Sequence, residues 1–287
     1  MKKVSIFLLP VALYSMQAVS HAQSIVPDSA FYLGVGASYN STDFNNQSIE
    51  ATGLSDAYNK TTGAFMSSGN AGGPPVNLSM GSQTGFAPVL QAGYFKHFQD
   101  SKWLWGAKFS YNGLDLSSTK ENFLIPQYGS YGATSFTGNA TVRSFKTNIS
   151  KQFSLMPFIG HSFDKSFIYA GAGPTISQIN TNIDNLIGFA DIKGNRTDIS
   201  GTPQNFSSSQ WVVGGAITVG ATYFIDASWF IDANYNIAMT PSATANYSST
   251  FNNTNGNTNV NYSGSLIGSS SGKTTTQSIS LSINKAF

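Results

Sequence analysis

The sequence predicts an all-β chain, an eight-stranded antiparallel up-and-down transmembrane β-barrel. Three observations predict it. Segment after segment alternates apolar and polar residues with a period of two, the pattern of a strand with one greasy and one wet face. Beyond the first 22 residues, no apolar run is long enough to cross a bilayer as a helix. Connections between the segments alternate between tight turns and long stretches, the usual asymmetry of a barrel threaded through a membrane.

The N-terminus reads as a secretory signal peptide over residues 1–22. Met1-Lys2-Lys3 is a basic start, residues 4–19 are mostly apolar, and Ser20-His21-Ala22 puts small residues where a signal peptidase reads, with cleavage after Ala22. Residues 23–287 then form the barrel. Its first strand turns Phe31, Leu33, Val35, Ala37 and Tyr39 outward, with Tyr32, Gly34, Gly36 and Ser38 inside. In the second, Phe86, Pro88, Leu90, Ala92 and Tyr94 oppose Val89, Gln91 and Gly93. The third sets Trp103, Trp105, Ala107, Phe109 and Tyr111 against Gly106, Lys108, Ser110 and Asn112. A fourth, around 145–159, places Ile149, Phe153, Leu155, Pro157 and Ile159 on one face with Lys151.

The fifth turns Ile168, Ala170 and Ala172 out and Tyr169, Gly171 and Gly173 in. In the sixth, Trp211, Val213, Ile217, Val219, Ala221, Tyr223 and Ile225 oppose Gln210, Gly214, Ala216, Thr218, Gly220 and Thr222. Trp229, Ile231, Ala233, Tyr235 and Ile237 form the outer face of the seventh, opposite Phe230, Asp232, Asn234 and Asn236. In the eighth, Ile279, Leu281, Ile283 and Phe287 oppose Ser278, Ser280, Ser282 and Asn284. Nearly all strand glycines fall on the inner face, as a narrow lumen filled by side chains requires.

Tight turns are expected near 98–102, 162–165 and 226–228, and four long extracellular loops at about 40–85, 114–141, 176–209 and 238–272. That polarity collects Trp103, Trp105, Trp229 and Phe287 toward the periplasmic rim and Tyr39, Tyr111, Tyr235 and Trp211 higher up. Two aromatic girdles at headgroup depth are the expectation.

Composition narrows the function classes. The chain holds 15 Lys and Arg against 13 Asp and Glu, and loss of Lys2 and Lys3 with the signal leaves 13 of each. A formally neutral chain has no basic field for nucleic acid. With no Cys, it has neither disulfides nor thiolate chemistry. Aromatic residues make up 13% of it, which with the alternation argues against disorder despite the many Ser, Asn, Thr and Gly.

These features together resemble the opacity-protein and OmpA-like family of eight-stranded outer-membrane domains. The resemblance is carried by Phe31-Tyr-Leu-Gly-Val-Gly36, the Pro157-Phe-Ile-Gly160 and Tyr169-Ala-Gly-Ala-Gly173 hairpin, and the aromatic terminus at Phe287. It implies a bacterial outer-membrane location, a lipid-bilayer partner, and insertion by the barrel-assembly machinery, which reads the terminal Ile279, Leu281, Ile283 and Phe287. Lys285 departs from that terminal pattern, which more often has an aromatic or aliphatic residue there. No room remains after Phe287 for a peptidoglycan-binding domain, and a monomer is expected.

No catalytic, cofactor or metal constellation emerges. His97 and His161 lie near tight turns, and His161-Ser162 reads as a rim pair. The acids Asp43, Glu50, Asp56, Asp184, Asp191 and Asp198 lack metal-site spacing. Gly69-Asn-Ala-Gly-Gly73 leads into Pro74-Pro75 instead of a phosphate-binding helix and reads as a flexible loop crest. Inside the barrel, Lys108 and Asp232 either meet across the lumen or are hydrated separately.

The loops carry Phe44, Tyr58, Phe65, Tyr128, Tyr131, Tyr247 and Tyr262 among small polar residues, a composition suited to recognition. The family resemblance, not any residue motif, implies a surface protein, not an enzyme, whose loops contact host or cell-surface ligands or shield the membrane. The alternative is a narrow channel for ions or small solutes lined by Gln91, Asn112, Asn148, Asn234 and Asn236. A lipid-modifying enzyme comes third.

Overall fold

Alternating sequence becomes strand almost everywhere. The structure, a computed structural model, describes residues 25–254 and 259–287, so the signal-peptide segment 1–22 lies outside the described residues. The strands are β1 (Ser29–Asn59), β2 (Phe65–Gly72), β3 (Val76–Leu78), β4 (Gln83–His97), β5 (Trp103–Asn112), β6 (Leu116–Tyr131) and β7 (Thr134–Ser162). They continue with β8 (Ser166–Ile192), β9 (Asn195–Asp198), β10 (Gln204–Phe224), β11 (Trp229–Met239), β12 (Ala243–Asn253) and β13 (Val260–Ala286).

Antiparallel ladders run β1–β4–β5–β7–β8–β10–β11–β13, and β13 returns to β1, closing a ring of eight strands. The closing ladder is long, from Tyr32 opposite Ala286 to Asn59 opposite Val260. Closure leaves no edge unpaired in hydrocarbon, where an unpaired backbone group is costly.

The four segments expected as loops are mostly strand. β1, β7, β8 and β13 continue through them, and β2, β3, β6, β9 and β12 complete an outer half above the ring. The reason is a reversal of polarity along single strands. On β1, Leu33 and Val35 face out, whereas Phe44 and Ile49 face in. On β8, Ile168 and Ile176 face out and Ile179 and Ile183 in; on β7, Leu155 and Ile159 face out and Phe145 and Ile149 in. Below the reversal the apolar face meets lipid, and above it the apolar face builds an interior that keeps the strands paired in water. Ile125, Val142, Phe145, Ile183, Leu186 and Leu266 form that second core.

Two readings change as a result. Ile149 does not share a face with Phe153. The β7–β8 register shifts between Ile149 and Lys151, and this bulge sends Ile149 inward and leaves Lys151 exposed. The same shift turns Asn148 away from the lumen, where its Nδ2 donates to Asp115 Oδ1 at 3.0 Å. Residues 69–72 are no flexible crest either, since they belong to β2 and pair with β1 and β6. Of the aromatics expected on loops, Phe44, Tyr247 and Tyr262 are buried, while Phe65 and Tyr128 are exposed.

Candidate functional site

The lumen is built in layers. At the end nearest the tight turns, inward residues of seven strands and the segment before β1 form an aromatic core of Tyr32, Phe95, Phe158, Phe167, Tyr169, Phe224 and Phe230, with Val26 and Leu104. Phe224 stacks on Phe230 at 4.7 Å, Phe158 meets Tyr169 at 5.0 Å, and Tyr32 meets Phe230 at 5.3 Å between ring centroids. Glycine makes the room: a Cβ on Gly93 would lie 2.4 Å from Tyr32 Cζ, and one on Gly220 2.4 Å from Tyr169 Cζ. Gly220→Val is therefore expected to destabilise the barrel by about 1–3 kcal/mol through overpacking. The check is the temperature at which the folded, fast-migrating band is lost in semi-native electrophoresis.

Above the rings sits the ion pair. Lys108 Nζ lies 3.2 Å from Asp232 Oδ2. It also donates to Tyr169 Oη at 2.6 Å, and Tyr169 Oη donates to Asp232 Oδ1 at 2.7 Å. Gln91 Nε2 reaches Asp232 Oδ2 at 3.3 Å, Ser282 Oγ at 2.8 Å and Asn284 Oδ1 at 2.5 Å, and Asn234 Nδ2 adds a contact to Asp232 Oδ2 at 3.2 Å. Both charges are buried, with side-chain exposures of 5% and 3%. Five strands thus tie one carboxylate and one ammonium into the centre of the lumen. A polar layer with Asn112, Ser154 and Asn236 follows, then the apolar core of the outer half.

The sequence marked the two charges but not their network. Tyr169 and Gln91 were legible only as inward residues; what brings them to Asp232 is ring closure, which sets β8 on one arc and β4 on the other between β5 and β11.

The outer face is its inverse. Leu33, Val35, Leu90, Ile217, Val219, Ile279 and Leu281 are all exposed on the ring, forming a continuous apolar band. Aromatics bound it. Tyr39, Ile279 and Tyr235 share one cross-strand row, with Phe86 beside Tyr39. Tyr111, Phe153 and Trp211 continue along the same margin, with ring separations of 5.1 and 5.8 Å. At the opposite margin lie Trp103, Trp105, Trp229 and Phe287, and Lys285 Nζ stands 5.4 Å from the Trp229 ring and 5.7 Å from that of Phe287.

A ring without edges, filled inside by aromatic and polar side chains, presents an apolar girdle outside. The chain is an eight-stranded outer-membrane β-barrel. The barrel's architecture places it in a bacterial outer membrane, where closed antiparallel barrels of even strand number reside.

No family model matches the barrel, and no curated protein matches it. Among solved structures it is similar to Ail, the attachment invasion locus protein of Yersinia pestis, at 12% identity, with 83% of this chain and 98% of that one covered and a TM-score of 0.27. It is also similar to the outer membrane protein OprG from Pseudomonas aeruginosa, at 12% identity, 92% and 99% coverage and a TM-score of 0.38. A third is the outer membrane protease OmpT from Escherichia coli, at 11% identity, 93% and 99% coverage and a TM-score of 0.26. These are likenesses of fold alone.

The remaining candidates come together with nothing. The His161 ring packs against Trp103 and Phe163 at 5.2 and 5.1 Å, while Ser162 Oγ donates to the Phe163 carbonyl. His97 Nδ1 contacts the Asp28 carbonyl at 3.1 Å. Among the described residues, no group of three or more His, Cys, Asp or Glu could hold a metal ion. Asp43 and Asp184 are engaged by Ser82 and Ser144, respectively.

Proposed function

We propose that this barrel is a plugged membrane anchor whose outer half presents an interaction surface to other macromolecules. It is not an enzyme and not a conducting pore. The observation that carries the reading is a group of exposed apolar and aromatic side chains at and beside one cross-strand row on the outside of the outer half, where solvated strands should be polar. Ile267 faces Thr52, Thr52 faces Gly72, and Gly72 faces Tyr128, a row across β13, β1, β2 and β6. Tyr128 is 60% exposed, Leu124 of the same strand 55%, and Leu54 beside the row 47%. Exposed apolar and aromatic groups gathered on a polar wall are the usual mark of a protein-contact site.

The girdle aromatics Tyr39, Tyr111, Tyr235 and Trp211 on one margin and Trp103, Trp105 and Trp229 on the other fix the barrel's depth, and Lys285 extends its ammonium from the lower margin to water. The terminal Ile279, Leu281, Ile283 and Phe287 serve the barrel-assembly machinery. Host or neighbouring-cell ligands are the partners, met by a monomer.

The triple variant Leu54→Ser, Leu124→Ser, Tyr128→Ser tests the reading. Cells displaying it should lose most of their adhesion to partner cells or immobilised surface proteins, with an unchanged amount of folded barrel. Undiminished adhesion would remove the outer wall from any role in contact.

A further inference from the structure

The outer half is itself a ring, with one side unlike the rest. Passing β12–β13–β1–β2–β6–β7–β8–β10, every neighbouring pair shares a backbone ladder. The ring would close between β10 and β12, and there no ladder forms among the described residues. Side chains bridge the gap. Gln210 Nε2 donates to the Thr244 carbonyl at 2.9 Å and Ser249 Oγ to Gln204 Oε1 at 2.6 Å; farther along, where β9 takes the place of β10, Asn253 Nδ2 donates to the Asp198 carbonyl at 2.9 Å. Phe206 and Tyr247 meet across it at 5.6 Å. Neither Gln204–Gly214 of β10 nor β12 carries a charge or a proline, the usual guards of a strand edge.

At the end of this seam where Ile199 and Ser200, between β9 and β10, and Phe251 of β12 line one space lies a cavity of about 50 Å³, walled also by Ala51, Phe136, Ala140 and Leu266. Its lining carries no charge, and most of the surface it exposes is apolar, although Ser55, Gln127, Tyr131 and Ser200 contribute to it. Gln127 already donates to the Ala51 carbonyl at 3.0 Å, and burial pushes the Tyr131 phenol above its ordinary pKa, keeping it neutral. An apolar cavity of this kind stays dry and takes apolar guests. A convergent apolar pocket is also where a small-molecule site is first sought.

We propose that the outer half binds a small apolar molecule, the size of one hydrocarbon ring, which reaches the cavity by widening the seam between β12 and the edge formed by β9, β10 and the residues joining them. Size decides the need for widening. A cavity of roughly 150 Å³ admits benzene, about three times the volume here, so a ring-sized guest requires the walls to move. Every other wall is held by a backbone ladder. Only the seam can part by releasing side chains. This inference stands apart from the surface-contact reading and needs no macromolecular partner.

The test uses the mature chain refolded in nanodiscs, with xenon and benzene as probes followed by methyl NMR. The expected result is saturable shifts at the Ala51, Ala140 and Leu266 methyls with both probes. Gly188→Val should abolish them, since Gly188 lines the cavity, a Cβ there stands in ordinary contact with Leu266 Cδ2 at 3.7 Å and Ser200 Oγ at 3.8 Å, and the added methyls take up its volume. Joining Gln204→Cys to Ser249→Cys with a short bismaleimide, in a chain that has no other cysteine, should weaken benzene binding at least tenfold and leave xenon binding intact. The proposed site is overturned if neither probe gives a saturable shift in the unmodified barrel. Seam access is overturned if the cross-linked barrel takes benzene as well as the free one does.

Discussion

Arginine at Leu90 or at Val219 is expected to destabilise the inserted barrel by about 2–4 kcal/mol. Both side chains point away from the lumen and are more than half exposed, Leu90 at 53% and Val219 at 54%. Each sits within the apolar band, on strands β4 and β10, between the two aromatic margins. A guanidinium there has hydrocarbon on every side, and only snorkelling or local thinning of the bilayer relieves it. Serine at the neighbouring inward Thr218, which is buried among polar groups, removes one methyl and should cost far less. The measurement is urea-dependent unfolding in lipid vesicles. Equal destabilisation by Val219→Arg and Thr218→Ser would mean that the band does not face lipid.

The second large effect is expected at the lumen centre. Asp232→Leu alone should cost about 3–5 kcal/mol, because it strands the Lys108 ammonium in a buried site. Lys108→Met alone leaves the carboxylate with Tyr169, Gln91 and Asn234 as hydrogen-bond donors, so it should cost less than Asp232→Leu. The double variant should recover a substantial part of the loss, since two apolar side chains in place of a buried pair are often neutral or better. A double-mutant cycle with additive losses would show that the two charges do not depend on each other.

The ring itself was legible because its membrane strands alternate by a consistent rule, with apolar residues outward and mostly small or polar residues inward apart from the aromatic layer near the tight turns. Where that rule held, as from Phe31 to Tyr39 or Trp229 to Ile237, the facing of each residue follows directly from the alternation. The outer half was not legible as strand because the rule inverts there. Phe44, Ile49, Phe145 and Ile183 are apolar and inward, so the same period of two is diluted among Ser, Asn and Thr on the wet face. Reading those stretches for apolar residues at alternate positions, with the faces exchanged, would have found β1 continuing to Asn59 and β8 to Ile192.

Two local irregularities also escaped detection. The register shift between Ile149 and Lys151 and that between Asn45 and Ser48 each change which parity faces inward. A single inserted residue leaves no compositional trace. The Lys108–Asp232 contact could be suspected from two charges on inward positions, but the donors around Asp232 come from strands far apart in sequence and depend on ring closure. The apolar row at Ile267, Tyr128 and Leu124 was equally hidden, since it is assembled across β13, β1, β2 and β6.

A sealed lumen is the claim on which the reading as an anchor with an outer contact surface depends, and conductance tests it most directly. The mature barrel, refolded and inserted in a planar bilayer, should show no stepwise current, and insertion should be verified in the same vesicles by its heat-modifiable migration. Reproducible unitary currents that disappear on denaturation would contradict the aromatic layer and the Lys108–Asp232 network as a plug, and would make the barrel a channel.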